Sequence, residues 1–167
     1  MKRFTQRCLA DCRGGPTVEM ALVGPSFLLL IVTIVELGVA LLTQTVLDSA
    51  TLAASRLVLT GQVQNGAGAT AFNTALCAAA APLIPCASLQ VNVQASAAFA
   101  NFNPVLQTDG QGNLSNTQFT AGTPGQAVLI QVGYDRPYLI PWVGSMLGIG
   151  NASLLVSSVV LQNEPFQ

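Results

Sequence analysis

Apolar residues run almost unbroken from Met20 to Leu42, a stretch of 23 positions whose one charge is Glu36. At a helical rise of roughly 1.5 Å per residue the run covers about 34 Å, enough to cross a hydrocarbon core of about 30 Å. Beyond Leu42 the pattern changes rather than stops. Val46, Leu47, Ala50, Ala53, Ala54, Leu57 and Val58 recur at helical spacing, with Gln44, Asp48, Ser55 and Arg56 between them. Residues 16–60 therefore read as one helix, apolar all round below and amphipathic above, with Gly61 as its C-terminal cap. Gly24-Pro25 inside it removes one backbone hydrogen bond and permits a kink; a proline simply tolerated in a membrane helix is an equal reading.

The rest of the chain alternates between short elements. Gly61 to Gly68 is a linker rich in Gly, Asn and Gln, and Thr70 to Ala81 is an Ala-rich helix that Pro82 stops. Ser88 to Ser96 sets Leu89, Val91 and Val93 against Gln90, Asn92 and Gln94, the period of a half-buried strand. A second strand is expected over Ala97 to Leu106, weakened by Pro104, and residues 107–126 read as a long mobile loop. Ala127 to Asp135 and Ala152 to Gln162 are further strands, and Arg136 to Leu147 is a mixed segment read as short helix or loop. The economical arrangement is an α+β fold, in which the upper half of the long helix packs its apolar stripe on a small antiparallel sheet.

Charge sets the orientation. Lys2, Arg3, Arg7 and Arg13 precede the apolar run and the next basic residue is Arg56, so the N-terminus is expected in the cytoplasm and the later residues across the membrane. A cleaved secretory signal is the competitor, but its apolar core would be shorter and no clear small-residue cleavage site follows. The expected organisation is a basic leader over 1–14, a membrane helix over 15–42 and an extracytoplasmic α+β domain over 43–167. Cys77 and Cys86 fall in that domain, where an oxidising compartment makes them a disulfide candidate; two small buried thiols are the alternative.

Catalysis finds little support. The chain has no histidine, which excludes Ser-His-Asp and Cys-His chemistry and His-based metal sites. Asp48, Asp109, Asp135 and Glu164 are far apart in sequence, Asp109 to Asn113 reads as a turn rather than a Ca²⁺ loop, and Cys8 and Cys12 lack companion ligands. A net charge of −1, without basic residues interleaved with aromatics, argues against nucleic acid. No cofactor, metal or small-molecule substrate is expected.

The junction Gly14-Gly15-Pro16-Thr17-Val18-Glu19-Met20 holds the most specific pattern. Taken alone, Glu19 has a plain explanation, since a carboxylate near a helix N-terminus is favoured by about 0.3–1 kcal/mol. In combination, the short basic leader, the glycine, the glutamate five residues after it and the long apolar helix resemble a prepilin processing region. Thr17 to Gly61 is similar to the TadE-like family of the Tad/Flp type IVb pilus systems, and Asn163-Glu164-Pro165-Phe166 matches an N-E-P-F ending found in many of its members. Met20 stands where an aromatic is usual, and Pro16 lies close to the expected cleavage point.

The resemblance implies a minor pilin (pseudopilin) acting in pilus biogenesis and adhesion. Its partners would be the bacterial inner membrane, a prepilin peptidase cutting between Gly14 and Gly15, and other pilins or Tad assembly proteins. Glu19 would then meet the new amine at Gly15 of a neighbouring subunit and fix register, because a carboxylate in an apolar bundle is costly unless paired. Glu36, about 25 Å further along the helix, would pair with a partner subunit or reach headgroup water. The body would be periplasmic, or extracellular within a pilus. The alternatives are an uncleaved, membrane-anchored periplasmic binding module docking on the secretion machinery and, least supported, an exported enzyme.

Overall fold

One helix, α1 (Gly15–Leu59, 45 residues), accounts for more than a quarter of the chain in the computed structural model, and it runs through Pro25 without interruption. The structure describes residues 15–64, 68–102, 108–109, 113–115, 117–146 and 150–165. Two compact units divide at Val39 and Ala40, the first holding the start of α1 and the second the rest of the chain.

In the second unit α1 buries a stripe of Thr43, Leu47, Ala50, Thr51, Ala54, Ser55 and Val58, spaced three and four apart as one helix face requires. Most of these side chains are small, so the helix axis can approach its neighbours closely. The buried hydroxyls of Thr51 and Ser55 donate to the carbonyls of Leu47 and Leu52, each at 2.8 Å, so neither is left unsatisfied. From Val46 onward the stripe differs from the sequence pattern in three places: Ala53 is exposed, and Thr51 and Ser55 are buried. Gly61 caps the helix as expected. Its φ of +75° lets its N–H reach the Val58 carbonyl at 3.2 Å while the Gln62 N–H reaches Leu57 at 3.0 Å.

Helix α2 (Gly68–Ala80) presents Phe72, Leu76 and Ala80 to the same core. It stops before the cis Ala81–Pro82 bond, and a 3-10 turn, Cys86–Ser88, leads into the sheet. Cys77 and Cys86 form a disulfide across this bend, with Cα atoms 5.2 Å apart. By chain entropy alone, closing so short a loop contributes about 2–3 kcal/mol.

The sheet has the order β1 (Leu89–Ser96), β2 (Ala127–Pro137), β3 (Ala152–Gln162), and both pairings are antiparallel. Leu89, Val91, Val93 and Ala95 of β1 and Val128, Ile130, Val132 and Tyr134 of β2 meet α1 and α2 on one face. The opposite face is not the solvated one that the alternation in β1 suggests. Asn92 is 4% exposed and donates to Gln131 Oε1 at 3.1 Å, and Gln90 accepts the Leu114 N–H at 2.6 Å. Leu114 covers Gly133, where a Cβ would lie 2.8 Å from Leu114 Cδ1.

Two expectations are corrected. Residues 97–102 of the expected second strand form a bend and a 3-10 turn, Phe99–Asn101, because a run of alanines carries no strand period of its own; residues 103–106 lie outside the described residues. The expected mobile loop is in part fastened to the sheet. Val93 exchanges backbone hydrogen bonds with Gln118 and Thr120, at 2.7 and 2.8 Å, and the Phe119 ring packs edge-on against Phe72 with centroids 5.5 Å apart. This segment covers part of the outer edge of β1, which would otherwise be open to another strand.

A third helix, α3 (Pro141–Met146), lies between β2 and β3, so the mixed segment is strand through Pro137 and helix after Ile140.

Candidate assembly and anchoring site

The first part of α1 displays an apolar surface on every side. Val18, Met20, Leu22, Val23, Phe27, Leu28, Leu30 and Ile34 are all more than half exposed, at positions that turn right round the helix. An apolar window of mean hydropathy 2.4 is only 6% buried, and the helix is long enough to cross a membrane. Its polar atoms suit that environment. Thr33 Oγ1 donates to the Leu29 carbonyl at 2.8 Å and Ser26 Oγ to the Val23 carbonyl at 3.1 Å, so these hydroxyls are satisfied within the helix.

Glu19 is exposed and lies four residues after Gly15, hence one turn along the same face. Glu36 is half-buried on the same helix. The 17 residues between them correspond to about 25 Å of rise and put them about 100° apart around the axis, so they belong to different stripes. Gly14, the basic leader with Cys8 and Cys12, and Phe166 lie outside the described residues. The Cys77–Cys86 disulfide belongs to the second unit and is remote in sequence from either glutamate. Among the described residues no group of three or more His, Cys, Asp or Glu side chains is placed to hold a metal.

Two residues carry more than the sequence discloses. Asn163 is 3% exposed; its Nδ2 donates to the carbonyls of Ala121 and Thr123 at 2.8 and 3.2 Å, and its backbone N–H to Gln126 at 2.9 Å. Next to it the Glu164 N–H donates to the Leu59 carbonyl at 3.1 Å, so the N-E-P ending fastens the top of α1 and the 121–126 turn to β3. Gly122, with φ +74°, passes under this clasp where a Cβ would lie 2.8 Å from that of Ala95. Arg136 is the other. It is 5% exposed in the core-side row of β2, with its guanidinium carbon 5.7 Å from the centre of the Tyr138 ring. The charge is visible in the sequence but its burial is not, because the strand expected over Ala127 to Asp135 runs two residues further, to Pro137.

A long helix with a bare apolar first part, whose continuation packs on a three-stranded antiparallel sheet, defines a pilin-like α+β fold. The family model of the TadE-like protein matches residues 14–56, which is nearly the whole of α1 with the junction glycine before it. Comparison with curated proteins and with solved structures gives no match. Over residues 14–56 the chain is thus similar to TadE-like proteins.

Proposed function

We propose that this chain is a minor pilin, or pseudopilin, of a Tad/Flp-type system, held in the inner membrane by α1 with its sheet domain on the periplasmic side, and acting in pilus biogenesis and adhesion. The observation that carries the reading is the coincidence of the TadE-like match with a helix whose first part is bare and whose last part is the spine of a folded domain. Such a helix exchanges lipid for the flanks of like helices without losing its own fold, since its backbone and hydroxyl hydrogen bonds are internal. A prepilin peptidase cuts between Gly14 and Gly15, and glycine on both sides of the bond leaves the backbone open to the protease. Glu19 then becomes the fifth residue. Its place one turn from Gly15 lets it reach a new amine, on a neighbouring subunit or on its own.

Intact-mass measurement of the protein from its native host tests this. A species beginning at Gly15 supports the pilin reading, and a species retaining Met1 supports the uncleaved, anchored binding module.

A further inference from the structure

We propose that the outward stripe of α1 within the second unit docks a second copy of this chain, with Arg56 of one copy on Asp48 of the next, so that copies add in one direction and do not close as a dimer. The inference rests on the pilin reading above and adds to it a surface and a charge pair.

The stripe is polar as a sequence and largely apolar as a surface. Leu42, Thr45, Ser49, Leu52 and Arg56 lie three or four residues apart, all exposed, on the side of α1 away from its buried stripe. Leu42 and Leu52 are 55% and 54% exposed. Between them Thr45 Oγ1 donates to the Leu41 carbonyl and Ser49 Oγ to the Val46 carbonyl, each at 2.9 Å. Hydroxyls satisfied within the helix can be covered without the loss of a hydrogen bond.

Charge says what covers the stripe. Beyond Arg13 the chain has two basic residues, and Arg136 is buried, so Arg56 is the one exposed cation among the described residues. The helix dipole favours a cation in the last turn, but Leu52, Ala53, Leu59 and Thr60 occupy the places where an acidic partner on its own helix would stand. Asp48 is eight residues below, about 12 Å along the axis and about 80° round it, too far for an ion pair within one chain. It borders the stripe, half-buried, and Gln44 Nε2 holds its carboxylate in place at 3.0 Å.

Two copies anchored by the same helix run parallel. In register, Arg56 would face Arg56; slid by about 12 Å, Arg56 of one copy comes level with Asp48 of the other. One Asp48 and one Arg56 then stay open for further copies, so the contact is head-to-tail. An antiparallel pair centred on Leu52 would satisfy both charges and close, but copies anchored by the same end cannot form it. Glu164 is the rival partner, exposed, with its N–H on the Leu59 carbonyl.

Charge reversal in the full chain, purified in mild detergent and followed by sedimentation velocity, tests the pair. The wild type is expected to form species larger than a dimer as its concentration rises. Arg56→Asp and Asp48→Arg should each weaken that association by about tenfold, because an attraction becomes a repulsion. The two changes together should restore it. If Asp48→Arg unfolds, Asp48→Asn and Arg56→Gln replace the reversals: each should weaken association, and both together no more than either alone. Association unchanged by the single variants overturns the contact, as does a double reversal no stronger than the single ones. Rescue of Arg56→Asp by Glu164→Arg rather than by Asp48→Arg also overturns it, and a species that stops at two overturns the head-to-tail arrangement. All of these leave the anchored pilin reading standing; that reading fails separately, if the wild type stays in solution without detergent.

Discussion

Gln44 Nε2 donates at 3.0 Å to Asp48 on its own helix and at 3.1 Å to the carbonyl of Val156 on the edge strand, two residues after the apolar run ends. The contact marks where α1 stops being a bare rod and becomes the spine of a folded domain. Gln44→Leu should keep the helix and lose this fastening. A part-buried neutral hydrogen bond is worth about 0.5–1.5 kcal/mol, so thermal unfolding in detergent should show a loss of that order. No change would mean that the apolar stripe alone holds the helix to the sheet.

Asn163 should matter more than its place near the chain end suggests. Asn163→Ala removes two donors from buried carbonyls and should cost about 1–3 kcal/mol, measured by denaturant unfolding. Asn163→Asp, which sets a carboxylate against the carbonyls of Ala121 and Thr123, should cost more than alanine. Equal losses would show that the clasp works through the backbone of residues 163–164 alone.

Gly133 and Leu114 give a test by sign. Alanine in a strand normally gains about 0.5–1 kcal/mol over glycine. Here its Cβ would displace Leu114 from the sheet, so Gly133→Ala should destabilise by about 1 kcal/mol. In a Leu114→Ala background the same change should become neutral or stabilising, and the double-mutant cycle measures the coupling. Additive effects would mean that Leu114 does not sit on Gly133 in solution.

Much of the fold was legible because it follows local rules. The helix from Gly15 to Leu59 announces itself by period and by its glycine cap, and β3 by an apolar run bounded by turn residues. Long-range relationships were hidden. Nothing in the order of residues says that Asn92 will face Gln131, that Arg136 will be buried, or that a loop will pair with Val93. The N-E-P ending was noticeable as a motif but silent as a device, since its partners Ala121, Thr123 and Leu59 lie about 40 residues or more away in sequence. Thr51 and Ser55 were hard to place because a hydroxyl bonded back to its own helix behaves as a small apolar group.

Glu19→Ala should leave membrane insertion intact and impair assembly, read as loss of the protein from sheared filaments or loss of filaments altogether. Glu19→Asp, one methylene shorter, should retain part of the function. Unaltered assembly of the alanine variant would remove the role of Glu19 in register.

The central claim is that the apolar first part of α1 lives in lipid or among like helices. Alkaline carbonate extraction of membranes from the native host tests it most directly, with the protein followed by immunoblot. The account predicts that the chain stays with the membrane pellet and is released by detergent, and that removing residues 20–42 sends the remaining domain to the supernatant. A freely soluble monomer that still carries residues 20–42 would contradict it.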